Sequence, residues 1–330
     1  MTVAEFRARL LADLGGDWPA PCALDAQIVG REAADGYRIE HVQYQVEPGE
    51  RVPAVLLIPD GVDDSRKAPG ICVWHQHAGQ WHLGKSEPAG LAGDAMHHTG
   101  VALAREGYVV LCPDALGFED REKGYKHTGG NLERFLFLRY VVGGRSMAWK
   151  NILDMRRAVD YLASRPEVDA GALGCYGHSM GSTHAWLVGP WEPRLRAIVG
   201  NCCLPSYAAI HEQQLLHCFP NFIPGLYSYG DTPDIAGLIA PRALHLNFGE
   251  QDDGSPIDFV RQGLVTIEAA YGAVGAKQEF SHYIEAGAGH VLSDEMWRRT
   301  REFFARHLGV GDSDVGDPGL GHLGGAAATA

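Results

Sequence analysis

From residue 70 to residue 284 the chain repeats one pattern: a short apolar-rich run of strand length, then a segment long enough for a helix. The runs are Gly70 to Trp74, Tyr108 to Cys112, Ala172 to Tyr176, Ala197 to Asn201, Ala243 to Phe248 and Phe280 to Ile284. Helical stretches at Asp94 to Glu106, Trp149 to Ser164, Ser182 to Val188, Ile257 to Tyr271 and Ser293 to His307 separate or follow them. Apolar runs without strict alternation suit strands buried on both faces, and such strands linked by helices form parallel sheet. Ahead of them, Tyr37 to Val46 and Val52 to Ile58 are β-rich and meet at Pro48-Gly49-Glu50, which reads as an antiparallel hairpin. The pattern therefore predicts a doubly wound α/β fold, a mostly parallel sheet with an antiparallel N-terminal hairpin.

A chain of 330 residues can build one large sheet as a single unit. Residues 1–36 read as an N-terminal helical appendage, with a helix from Val3 to Leu14 stopped by Gly15-Gly16. Residues 37–308 hold the α/β pattern, and 309–330 form a Gly/Ala-rich tail expected to be flexible. Two insertions break the alternation. One, 119–145, carries Phe135-Leu136-Phe137-Leu138, the candidate surface for a homodimer; the other, 204–238, is rich in aromatics. Both are expected as helical insertions over the carboxyl ends of the strands, where open α/β sheets bind ligands.

Composition excludes several functions. With 45% hydrophobic and 21% charged residues the chain can form a core. Lys and Arg number 28 against 41 Asp and Glu, and the net charge of −13 repels phosphate backbones and anionic lipid, so neither nucleic acid nor membrane is expected as a partner. Glu5, Arg7, Arg9 and Asp13 interrupt any leader-like start, and no apolar run approaches the ~18 residues of a spanning helix; a cytoplasmic location is expected. The seven cysteines include no CxxC pair and read as buried free thiols.

Gly177-His178-Ser179-Met180-Gly181 fits G-x-S-x-G, in which glycines relieve a strained strand-to-helix turn that presents a serine hydroxyl. With 12 serines and 42 glycines, chance would give about 0.2 such matches, so context decides. Here a strand candidate precedes the motif and a helix candidate follows, which makes Ser179 the candidate nucleophile rather than a helix-capping serine. Serine needs a base, and the base an orienting acid. After the next strand runs come Glu250-Gln251-Asp252-Asp253 and Ala286-Gly287-Ala288-Gly289-His290. Asp252 is the candidate acid, with Asp253 as the alternative, and His290 the candidate base; the plainer readings are an Asx turn and a surface loop. Oxyanion donors are expected from the backbone amides of Met180 and of His77, with Ala78 as the alternative to His77. Gln76 in the same loop, with Phe222 and Tyr227 in the aromatic insertion, is a candidate substrate contact. His75, His77, His82, His97 and His98 crowd together, but no Cys or acid stands at ligand spacing, so neither a metal nor any other cofactor is expected.

Taken with His75-Gln76-His77-Ala78-Gly79, Pro113-Asp114-Ala115-Leu116-Gly117-Phe118, Arg165-Pro166-Glu167-Val168-Asp169, Ile223-Pro224-Gly225-Leu226 and Ile239-Ala240-Pro241-Arg242, these motifs make residues 37–308 resemble the α/β-hydrolase superfamily, in its dienelactone hydrolase and acetyl xylan esterase-like group. The resemblance implies Ser179, Asp252 and His290 as a catalytic triad and the His77 and Met180 amides as an oxyanion hole. Two departures stand out. The loop reads His-Gln-His-Ala-Gly where His-Gly-x-Gly-Gly is common, and position 179 is serine where dienelactone hydrolases proper use cysteine. The expected activity is therefore a serine-dependent carboxylic ester hydrolase acting on a small molecule. The alternatives are a C–C bond hydrolase or tailoring enzyme working on a small ketone-containing metabolite with the same site, and, from a different class, a catalytically silent receptor or scaffold.

Overall fold

The computed structural model describes residues 1–309, so the tail expected at 309–330 lies, apart from Gly309, outside the described residues. Nine strands form one sheet: β1 (Gln27–Ala34), β2 (Tyr37–Glu47), β3 (Glu50–Pro59), β4 (Ala68–Trp74), β5 (Val109–Pro113), β6 (Val168–His178), β7 (Leu195–Asn201), β8 (Ala243–Gly249) and β9 (Phe280–Glu285). Their order is β1-β2-β3-β5-β4-β6-β7-β8-β9. Strands β1, β2, β3 and β5 pair antiparallel, and β5 through β9 pair parallel. Nine α-helices accompany them among the described residues: α1 (Val3–Leu14), α2 (Thr99–Arg105), α3 (Gly129–Val142), α4 (Met147–Ala163), α5 (Met180–Val188), α6 (Tyr207–Gln213), α7 (Thr232–Gly237), α8 (Ile257–Ala273) and α9 (Asp294–Leu308). None is long and apolar enough to cross a membrane.

The interior parallel strands, β4 to β8, are buried on both faces over most of their length, which is why they read as apolar runs. Successive residues enter opposite cores: Leu111, Cys175 and Ile198 face one cluster with Trp149, Trp186 and Tyr271, while Val110, Tyr176 and Val199 face another with Trp297 and Phe304. The hairpin forms where Pro48-Gly49 placed it, with Glu47 opposite Glu50 and Gly49 at φ 81°. A buried ion cluster fastens that hairpin to α4. Lys150, with no side-chain exposure, lies 2.6 Å from Glu47, 2.9 Å from Glu50 and 3.0 Å from Asp154.

The first 36 residues are more tightly integrated than an appendage. Thr2 and Glu5 form a capping box, and α1 buries Phe6, Leu10 and Leu14 in the main core. Trp18 Nε1 donates to the carbonyl of Trp149, whose own Nε1 donates to that of Gly16. Residues 27–34 then form the edge strand of the sheet. The sequence Gln-Ile-Val-Gly-Arg-Glu-Ala-Ala has six of its eight residues exposed, so this strand is held by main-chain pairing and carries no alternation to read. Free thiols are found at all seven cysteines, five of them buried, with Cys22 and Cys218 half-buried.

Candidate active site

β6 ends at His178 and α5 begins at Met180, leaving Ser179 alone in the turn at φ 57°, ψ −119°. An L-residue pays strain in that region, and it persists only where the surroundings fix it. The motif glycines show how. A Cβ on Gly177 would lie 2.0 Å from the carbonyl oxygen of Gly181, and one on Gly181 would lie 2.0 Å from that of Trp74, so strand end, turn and helix start meet backbone to backbone. The Ser179 N–H donates to the Asn201 carbonyl at 2.8 Å, and its own carbonyl accepts from Thr183 N–H at 3.2 Å. Ser179 is partly open to solvent between buried neighbours.

The acid and base loops follow β8 and β9. A Cβ on Gly249 would strike the Gly289 carbonyl at 2.0 Å, and Gln251 N–H donates to the Ala288 carbonyl at 2.7 Å, so the two loops are pressed together. Asp252 Oδ2 then lies 2.8 Å from His290 Nδ1, its side chain 1% exposed against 41% for the histidine. Its Oδ1 accepts the Gly254 N–H at 2.9 Å. Asp253 is exposed, so of the two adjacent acids Asp252 is the one that meets the histidine. A carboxylate partner places the imidazole proton on Nδ1 and leaves Nε2 as the free acceptor.

His178 links the serine turn to this pair. Its ring stands 5.1 Å from that of His290 on one side and 4.7 Å from that of His97 on the other. Burial, reinforced by the neighbouring His97 and His290, pushes the His178 ring far below the ordinary histidine range, and burial takes His97 down to about 4. Both are neutral at physiological pH, so neither adds a charge beside His290.

The loop after β4 is fixed by its histidines. His75 donates from Nδ1 to the Gln76 carbonyl at 2.7 Å and accepts Ala115 N–H at Nε2 at 3.0 Å; burial lowers it to about 4, which keeps that neutral tautomer. His77 accepts Gly79 N–H at Nδ1 (3.0 Å) and donates from Nε2 to Glu133 at 2.9 Å. Ala78 at φ 44° and Gly79 at φ 67° turn the chain back on itself. Met180, as the first residue of α5, has an N–H with no acceptor inside the helix.

Gln76 donates its amide to both oxygens of the buried Glu87, at 3.2 and 3.1 Å. Phe222 stacks on Tyr207 with ring centroids 6.4 Å apart, and Tyr227, 49% exposed, packs against Tyr207 and His211; these ring partners all belong to the 204–238 insertion itself. Both insertions reach the loops that carry the candidate site residues, through residues that carried no sequence signal. From the first, the buried Glu133 of α3 accepts from His77 and from Trp81 Nε1 at 3.1 Å. From the second, His217 Nε2 donates to the Gly254 carbonyl at 2.6 Å, two residues from Asp252.

The histidine-rich stretch from His75 to His98 gathers no metal-like cluster. Among the described residues, groups of donors at ligand spacing are Cys202 with Asp252 and His290, and Asp114 with Glu119 and Asp120. The second already holds a cation of its own, Lys85, whose ammonium lies 2.9, 2.6 and 2.8 Å from the three carboxylates. Those carboxylates outweigh the cost of burial and hold Lys85 protonated, above its ordinary range.

An open, mostly parallel sheet with a serine in a strained turn after β6, an acid after β8 and a histidine after β9 is the arrangement of the α/β-hydrolase class. The profile of the dienelactone hydrolase family matches residues 52–216, and the chain belongs to that family; it is a hydrolase. A protein of Bacillus subtilis (strain 168) named "Putative hydrolase YtaP" is 28% identical over 309 residues, 92% of this chain and 99% of that one. The fold is shared with a "putative acetyl xylan esterase" of Bacteroides fragilis NCTC 9343 (TM-score 0.69, 16% identity, 93% of this chain and 82% of that one). It is also shared with a glucuronoyl esterase from Solibacter usitatus (TM-score 0.65, 18% identity, 92% and 91%).

Proposed function

We propose that this hydrolase is a serine-dependent carboxylic ester hydrolase acting on a small molecule through an acyl-serine. The observation that carries the reading is the 2.8 Å contact between the buried Asp252 carboxylate and the half-exposed His290, on loops that adjoin the serine turn. In the first half-reaction Ser179 Oγ attacks the ester carbonyl while His290 Nε2 takes its proton. Negative charge developing on the carbonyl oxygen meets the N–H groups of Met180 and His77, each donor of this kind contributing about 3 kcal/mol. Asp252 holds the imidazole in the productive tautomer and stabilises its cation. His290 then returns the proton to the departing alkoxide. Water, deprotonated by the same Nε2, attacks the acyl carbonyl, and the proton goes back to Ser179 as the acid is released. Ester-cleaving relatives of the same fold are consistent with this chemistry.

The test is hydrolysis of aryl esters from acetyl to octanoyl by the wild type and by Ser179→Ala. Turnover graded by acyl length and lost with Ser179 is expected; a folded wild type that turns over none of them overturns the reading and directs the search to ketone substrates.

A further inference from the structure

Cys202 occupies a constrained position beside the acid–base pair. It follows β7 directly and adopts φ 52°, a conformation unusual for a residue with a side chain. Its N–H donates to the Asn247 carbonyl at 2.8 Å, and its thiol donates to the carbonyl of Val291, the residue after His290, at 3.2 Å. The outcome is that the Cys202 sulfur, a carboxylate oxygen of Asp252 and a ring nitrogen of His290 all lie within 4.8 Å of one another.

We infer that Cys202, Asp252 and His290 form an inhibitory site for a zinc-class divalent cation, which silences the enzyme by capturing its base. The donor set is one that zinc prefers, a thiolate, an imidazole and a carboxylate with a fourth position left for water. Ligand atoms around a tetrahedral zinc stand roughly 3.3 to 3.7 Å apart, given bond lengths of about 2.0 to 2.3 Å. Asp252 Oδ2 and His290 Nδ1, in contact at 2.8 Å, therefore open by about half an ångström while the Cys202 sulfur, within 4.8 Å of both residues, closes by about 1.5 Å at most, on a base loop that carries Gly287 and Gly289 next to His290. Approach is from the side of His290, since Cys202 and Asp252 are buried while His290 is open to solvent.

The proton balance explains the inhibition. The Cys202 sulfur carries the proton it donates to the Val291 carbonyl, and the metal displaces that proton to solvent as the sulfur–metal bond forms. Asp252 binds through a carboxylate oxygen. His290 binds through Nδ1, and its one imidazole proton moves to Nε2. A protonated Nε2 cannot accept from Ser179 Oγ, so attack on the ester stops. No electron transfer is involved. The metal site itself stands on geometry; only its effect on turnover rests on His290 being the base.

The test uses the full chain carrying Ser179→Ala, titrated with Co2+ or Cd2+ and read by the ultraviolet thiolate-to-metal charge-transfer band. The site predicts a saturable band that disappears with Cys202→Ser, together with at least a tenfold loss of affinity, since removing even an outer partner of a metal ligand costs 10- to 100-fold. In parallel, Zn2+ is expected to inhibit ester turnover by the wild type. Cys202→Ser, whose hydroxyl can still donate to the Val291 carbonyl, keeps its basal rate and needs at least tenfold more Zn2+. Cys202→Ala, with circular dichroism as the folding control, serves the same purpose if the serine variant does not fold. Binding without a thiolate band, or a band that survives loss of Cys202, overturns the proposal. Because the titration does not depend on turnover, the site and the esterase reading fail separately.

Discussion

Two buried carboxylates lie at the carboxyl ends of this sheet, Asp252 after β8 and Asp114 after β5, and they face different partners. Asp114 meets the ammonium of Lys85, itself 8% exposed and shared with Glu119 and Asp120. One ammonium is shared among three carboxylates there, and Asp114, the most deeply buried of them, is in direct contact with it. Asp252 meets an imidazole whose other nitrogen has no partner in the pair and whose side chain is 41% exposed. The first arrangement pins the 119–122 turn to the loop after β4; the second leaves a proton acceptor aimed outward. On the proposed function, a buried acid here is structural when it is held by a lysine ammonium and catalytic when it orients a histidine whose other nitrogen stays open.

Breaking each cluster separates the two roles. The largest effect is expected from His290→Ala, which should lower kcat by about 10⁶ with the fold intact, the scale seen when one member of a working triad is lost. Asp252→Asn keeps the shape but reverses the tautomer of His290, and kcat should fall about 10⁴-fold with little change in KM. At the other cluster, Lys85→Met leaves Asp114 buried without a counter-charge. Urea unfolding should show a loss of about 3 to 5 kcal/mol, with kcat per folded molecule, counted by active-site titration, retained. A fall in kcat without a fall in stability would erase the distinction between the clusters.

A smaller effect separates the exposed histidine from the buried ones. Burial lowers His184 to about 3 and His75 to about 4. A histidine depressed in the folded state contributes its full stability above the unfolded value near 6.5 and loses it as pH falls toward the folded value. Each of these two should therefore cost about 2 kcal/mol between pH 6.5 and pH 5. Urea midpoints measured at pH 7 and pH 5 should show a decline about 2 kcal/mol smaller for His184→Gln than for the wild type. An equal decline in both proteins would remove His184 from the account of acid lability.

The parallel half of the fold was legible because its signals are local: strands β4 to β8 are buried on both faces over most of their length and therefore mostly apolar, and the serine turn needs Gly177 and Gly181 within five residues. The chain order serine, acid, histidine follows from strand order in the sheet. Strand β1 was not legible, since an exposed edge strand is specified by main-chain pairing and its side chains carry no period. Nor were the residues that tie the insertions to the site. Glu133 is 56 residues from His77, and His217 is 37 from Gly254; contacts at that range are created by the topology and leave no spacing rule in the sequence. The choice between Asp252 and Asp253 belongs to the same kind, because only the loop's curvature decides which carboxylate turns inward.

Whether Ser179 carries the acyl group is decided by mass spectrometry of the protein quenched during turnover of a slowly deacylating aryl ester. The account predicts an adduct of the acyl mass on the peptide containing Ser179 that decays as product forms and is absent from Ser179→Ala. Ester turnover with no adduct at Ser179, or with the acyl group on another residue, would contradict it.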